Sequence, residues 1–172
     1  MLAEGVKPND LAVRANGGVY FTQTGAKKVT YIAPGGGVKD VDVGSVTKPN
    51  GIALSADGGT LAVSDHGGKN VWAWRVSGNG DLDAGSPYME MRHVAGVAKG
   101  DGMCVDFAGR FFVTTALGVQ MFDTTGRISG VIPAPDGAKP IVSVGFGGAR
   151  GEWMYVCNGS GVFRRRVVGS EK

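Results

Sequence analysis

Apolar residues along this chain come in short runs that Gly, Asn and Asp keep interrupting, and those interruptions recur in register. Asn9-Asp10-Leu11-Ala12-Val13 is followed by Asn16-Gly17-Gly18 and then Val19-Tyr20-Phe21-Thr22. Asn50-Gly51-Ile52-Ala53-Leu54 is followed by Asp57-Gly58-Gly59 and Leu61-Ala62-Val63-Ser64-Asp65. Asp101-Gly102-Met103-Cys104-Val105 leads through Ala108-Gly109 to Phe111-Phe112-Val113-Thr114, and a weaker copy pairs Ser143–Phe146 with Trp153–Val156. A third run follows each pair: Lys28–Ile32, Asn70–Val76, Val119–Asp123 and Val162–Val168. Short β-branched and aromatic runs closed by turn residues predict strands and hairpins. No segment sustains an apolar stripe at a 3.6-residue period, so helix content should be very low.

The copies start at 9, 50, 101 and 143, giving periods of 41, 51 and 42 residues. Strands at this density and period match β-propeller blades of four antiparallel strands. A β-sandwich and a β-solenoid are the alternatives. Sandwich strands do not normally repeat their own sequence, and solenoid periods are shorter. The 31 glycines among 172 residues agree with many tight turns. The fold class is therefore all-β, with residues 1–172 as one partial propeller domain.

The first residue of each copy reads Asn9, Asn50, Asp101 and Ser143. The innermost strand of a blade faces the central channel, so residues at equivalent places converge at one rim. Inward amide and carboxylate oxygens suit a hard cation. Asn-Gly and Asp-Gly are also ordinary turn dipeptides, but turn chemistry does not require the same register after Lys-Pro or Lys-Gly.

These residues carry a resemblance. Lys7-Pro8-Asn9-Asp10-Leu11, Lys48-Pro49-Asn50-Gly51-Ile52, Lys99-Gly100-Asp101-Gly102-Met103 and Val113–Asp123 resemble inner- and middle-strand motifs of the senescence-marker-protein/gluconolactonase/luciferin-regenerating-enzyme family, over about residues 3–168. The resemblance implies a six-bladed propeller with one divalent cation in its channel. The cation is expected to be Ca²⁺, with Mg²⁺, Zn²⁺ and Mn²⁺ as alternatives. It further implies hydrolysis of a small-molecule lactone or related ester. Asn50 matches a ligand asparagine, and Asp101 matches a ligand aspartate that is also the general base. Asn9 matches a substrate-contacting asparagine near the metal and is a third metal candidate, while Lys7 sits where a basic substrate-binding residue lies. One departure stands out: the family's ligand glutamate precedes the first asparagine by a long stretch, whereas Glu4 directly adjoins it. Six blades need about 250 residues, so two N-terminal blades and one ligand are expected to be missing. A fragment, a chain completed by a second copy through open propeller edges, and a non-catalytic binding or scaffold member are the three outcomes; a homo-oligomer is favoured because open sheet edges invite pairing.

The remaining features narrow the picture. A net charge of +3 with one basic cluster, Arg164–Arg166, lacks the broad stripe of a nucleic-acid surface. No apolar stretch approaches membrane length and residues 1–16 lack a signal-peptide plan, so no membrane partner and a cytoplasmic location are expected. Cys104 and Cys157 lie in apolar runs and are expected to be buried free thiols. In Ser64-Asp65-His66 strand alternation turns Asp65 away from its neighbours, which excludes a triad and leaves His66 free to line the channel mouth as a substrate contact. Gly35–Lys39 lacks phosphate-loop spacing, and Asn79, Asp81 and Asp83 mimic a Ca²⁺ loop only superficially. Trp72 and Trp74 share a strand face and should fill space between blades. Gly78–Lys99 accounts for the 51-residue period and is expected to form a blade-edge loop bringing Met89, Met91, Arg92 and His93 toward substrate.

Overall fold

A computed structural model describes residues 1–134 and 139–167; Val168, the end of the fourth predicted third run, lies outside them. The first sheet contains β1 (Leu11–Val13), β2 (Val19–Gln23), β3 (Lys28–Ile32) and β4 (Val38–Val41). The second contains β5 (Pro49–Leu54), β6 (Thr60–Asp65), β7 (Asn70–Arg75) and β8 (Ser86–Glu90). The third contains β9 (Met103–Val105), β10 (Phe111–Thr115), β11 (Gly118–Phe122) and β12 (Ile128–Ile132). Among the described residues the fourth has three strands, β13 (Ile141–Gly147), β14 (Trp153–Asn158) and β15 (Val162–Arg166). Every sheet is a sequential antiparallel meander, and together they are four blades of a β-propeller. A 3₁₀ turn at Thr24–Ala26 is the sole helical segment among the described residues.

Strand alternation explains the stacking of blades. On β6, Leu61 and Val63 face the first blade, where they join Tyr20, Val29, Tyr31 and Trp74. Ala62 points the other way and packs with Val71, Met89, Phe111 and Val113 between blades two and three. On β10 the roles swap again: Phe112 leaves its neighbours and joins Val119, Val144, Met154 and Val156 against blade four. Blades two and three are thus apolar on both faces, and their neighbours supply the cover. Burying a side chain such as Phe111 or Leu61 contributes about 1.5–3 kcal/mol. Trp74 is buried and Trp72 packs half-buried against the same cluster, filling space between blades one and two.

Two expectations are corrected. Gly78–Lys99 contains the outer strand β8, and Met89 and Met91 are fully buried between blades two and three, out of reach of a ligand. Alternation along β8 decides this: Met89 pairs with Val71 and turns inward with it. Arg92 is exposed, with its backbone tied to Gln120, and His93 caps a turn by accepting from the Gly96 N–H at 3.0 Å. The cysteines are free but half-buried. Even so, burial pushes the Cys104 thiol up to about 12, with the charges of Asp106 and Asp10 adding to the shift.

Candidate functional site

Each of the first three blades delivers its polar residue where the inner strand loses register with the middle strand. Asn9 N and Asp10 O both bond to the backbone of Thr22, and Asp101 N and Gly102 O both bond to that of Thr114. The β5–β6 register slips between Pro49 and Ile52, around Asn50. Two residues facing one is a β-bulge, a device that re-aims a side chain. The residue after the polar one then lies against the next inner strand. A Cβ on Gly51 would fall on the Asp101 carbonyl, and one on Gly102 would lie 2.7 Å from the Val142 carbonyl. Asn50-Gly51 is therefore part of β5, and Asp101-Gly102 leads directly into β9. Their glycines are required by the approach of neighbouring backbones rather than by a turn.

Asn50, His66 and Asp101 come together. Asn50 is buried, Asp101 and His66 are half-buried, and His66 Nδ1 lies 3.4 Å from Asn50 Nδ2 and 3.2 Å from the Gly100 carbonyl oxygen. One ring nitrogen cannot serve both contacts. Protonated, Nδ1 donates to Gly100 O; unprotonated, it accepts from Asn50. Asn50 Oδ1 is buried with no hydrogen-bond partner. Burial raises the Asp101 carboxyl above its ordinary value, opposed by His66, the Gly102 N–H, the Asn50 amide and Lys48, in that order.

Asp65 stands on the opposite side of its strand. It is buried and accepts from Thr47 N at 3.0 Å, Thr47 Oγ1 at 2.9 Å, Lys48 N at 2.9 Å and Gly67 N at 3.0 Å. It clamps the linker that enters β5 to the turn that follows His66. Ser64 and His66, by contrast, reach the site side, Ser64 Oγ donating to the Asp101 carbonyl at 2.9 Å.

Asn9 and Lys7 are exposed on the first blade, outside the hydrogen-bonded group of Asn50, His66 and Asp101; the Lys7 N–H donates to Gln23 Oε1 at 3.2 Å. Ser143 is exposed on blade four. A residue missed in the sequence reaches further in than Asn9. Asp10 accepts from Leu11 N at 2.8 Å and from Ile52 N at 3.1 Å, bridging blades one and two. Burial raises its carboxyl, while the N–H groups of Ile52 and Leu11 hold it down. The charge of Asp101 adds to the rise. The signal was available: Asp10 occupies the place held by glycine in Asn50-Gly51 and Asp101-Gly102.

Among the described residues no three His, Cys, Asp or Glu side chains gather into a metal-binding cluster. The unpartnered Asn50 Oδ1 and the desolvated Asp101 carboxylate are nevertheless hard oxygen donors of the kind Ca²⁺ and Mg²⁺ take, and both ions accept water at remaining positions. The residues fit part of a coordination shell.

The solved structures similar to this chain share its fold at low identity. A gluconolactonase from Xanthomonas campestris superposes with a TM-score of 0.77 at 24% identity, covering 94% of this chain and 58% of its own. A calcium-binding protein, regucalcin, from Agrobacterium tumefaciens gives 0.72 at 19%, covering 87% and 52%. Virginiamycin B lyase from Staphylococcus aureus gives 0.68 at 16%, covering 99% and 59%. The chain thus spans little more than half the length of these proteins. No curated protein matches it. No helix among the described residues is long and apolar enough to cross a membrane. Residues 2–160 match the SMP-30/gluconolactonase/LRE-like region, and this match over most of its length places the chain in the SMP-30/gluconolactonase/LRE-like family.

Proposed function

We propose that this chain carries the rim of a divalent-cation-dependent hydrolase acting on small-molecule lactones or related esters. The observation that supports this most is the buried, unpartnered Oδ1 of Asn50 beside the desolvated carboxylate of Asp101. In this reading Asn50 and Asp101 hold the cation with Asn9 as a third candidate, and the hard oxygen donors favour Ca²⁺ or Mg²⁺ over Mn²⁺ or Zn²⁺. A bound cation of this kind supplies Lewis-acid polarisation of a carbonyl and acidifies water. Asp101 takes the proton from the attacking water, and its burial makes it a stronger base than an exposed aspartate. With Nδ1 donating to Gly100 O, His66 keeps Nε2 as an acceptor for a substrate hydroxyl. Lys7 and Asn9 contact the substrate from the first blade.

The single carboxylate within the Asn50–His66–Asp101 group favours a second reading, a propeller that binds a ligand without turnover. Hydrolysis of a panel of aldonolactones and aryl esters, followed by acid release, separates the two. Chelator-treated protein should be inactive and regain activity with Ca²⁺ or Mg²⁺, and Asp101→Ala and Asn50→Ala should each lose about 100-fold or more. Background rates with every cation would leave the binding reading.

The exposed apolar residues Leu11 and Val13 on blade one and Val142, Tyr155 and Val162 on blade four support association of two copies through open blades. Light scattering should give a dimer or larger; a monomer of 17.7 kDa would rule association out. Two unpaired cysteines accord with a reducing, cytoplasmic compartment.

A further inference from the structure

Asn50 and Asp101 are held from behind by the preceding blade. On the middle strand of blade one, the Thr22 hydroxyl accepts from Asp10 N at 3.2 Å and donates to the Asn50 carbonyl of blade two at 2.6 Å. On the middle strand of blade two, the Ser64 hydroxyl accepts from Gly51 N at 2.9 Å and donates to the Asp101 carbonyl of blade three at 2.9 Å. Both side chains are fully buried. Each one satisfies an inner-strand N–H of its own blade and grips the backbone of the site residue of the next. The equivalent Thr114, also fully buried, turns back instead and donates to Gly102 O of its own blade at 3.0 Å. There the link onward is made by backbone alone, Gly102 N to Val142 O at 3.0 Å.

We infer that Thr22 and Ser64 are positioning residues, a relay of buried hydroxyls that fixes where Asn50 and Asp101 stand relative to one another across blade boundaries. The apolar clusters between blades tolerate small slides, because side-chain packing is not directional. A hydrogen bond to the carbonyl of the site residue is directional and sets both distance and angle. The site residues lie in bulges, where regular ladder bonds do not fix the backbone. An added restraint therefore matters most there. Ser64 is also poised to affect His66, because Gly100 O, the acceptor facing His66 Nδ1, belongs to the peptide unit leading into Asp101.

The inference rests on reading Asn50 and Asp101 as cation ligands, and the test separates the two. Ser64→Ala and the isosteric Thr22→Val are compared with Ser64→Thr, which keeps the hydroxyl. A further comparison is Thr115→Val, which removes a buried hydroxyl bonded within its own hairpin, donating to Gly118 O at 2.9 Å and accepting from Leu117 N at 3.2 Å and Gln120 Nε2 at 3.0 Å. In metal-free protein, the His66 ring resonances should move in Ser64→Ala and the Asn50 side-chain amide in Thr22→Val, with neither moving in Thr115→Val. Calorimetric titration with Ca²⁺ should show about tenfold weaker binding in both relay variants, wild-type affinity in Ser64→Thr, and no change in Thr115→Val at comparable loss of melting temperature. Unmoved resonances in folded Ser64→Ala and Thr22→Val overturn the relay. So does a Thr115→Val protein that shifts the same resonances as far. Wild-type protein that binds no Ca²⁺ overturns the ligand reading instead, while the resonances still decide the relay.

Discussion

Blades two and four are built from the same repeat and end in different circumstances. Blade two has a neighbour on each face: Leu61, Val63 and Trp74 pack toward blade one, and Ala62, Val71 and Met89 toward blade three. Blade four has one described neighbour. Val144, Met154 and Val156 pack toward blade three, while Tyr155 and all of β15 remain exposed. The site follows the same division. Asn50, between two blades, is buried with an unpartnered oxygen; Ser143, at the equivalent start of blade four, is exposed. The repeat therefore places a polar residue at the equivalent position of every blade, and enclosure by two neighbours turns it into a desolvated donor.

That contrast can be broken most severely in the interior of blade two. Leu61→Ala should cost about 2–5 kcal/mol in urea unfolding, whereas Tyr155→Ala on the open face of blade four should cost under about 1 kcal/mol. Equal losses would mean that blade four is as enclosed as blade two. Next comes Asp65→Ala, which strips the acceptors from three backbone N–H groups and the Thr47 hydroxyl. Its cost should be about 1–3 kcal/mol, with faster hydrogen exchange at Lys48 and Gly67; slow exchange there would show that the clamp is dispensable. Smaller still is Arg164→Ala, which removes a guanidinium 4.4 Å from the Trp153 ring and should cost about 0.5–1 kcal/mol. The Lys28–Asp40 pair joins two exposed side chains at 2.8 Å. Lys28→Ala should lower stability by no more than about 0.5 kcal/mol, with the difference vanishing in high salt.

Much of this architecture was legible because the repeat fixed it. The middle and third strands of the first three blades appear where the Val, Ile, Phe and Tyr runs placed them, since most of their residues are buried or half-buried and read as nearly continuous apolar stretches. The outer strands were less legible. In Val38-Lys39-Asp40-Val41, half-exposed positions take charged residues, and in Ser86–Glu90 a proline opens the edge. The 51-residue period suggests an insertion and so a loop for Met89 and Met91, yet alternation along β8 turns Met89 into the core and Met91, just past the strand, is buried in the same cluster. At the rim, the register of Asn9, Asn50 and Asp101 was readable, but what surrounds them was not. Asp10 bridges blades because a carboxylate stands where its equivalents are glycine, and Thr22 and Ser64 act across blade boundaries. Contacts between residues tens of positions apart leave no local mark in a sequence.

One cation site shared by Asn50 and Asp101 is the central expectation for this rim. Calorimetric titration of metal-free protein with Ca²⁺ tests this directly, with Asp106→Ala as the comparison, a carboxylate held by Arg110 in the β9–β10 turn at the far end of blade three from Asp101. One Ca²⁺ per chain is predicted for the wild type and for Asp106→Ala, with binding weakened at least about tenfold in Asn50→Ala and in Asp101→Ala. Binding that survives both substitutions, or that only Asp106→Ala removes, would contradict it.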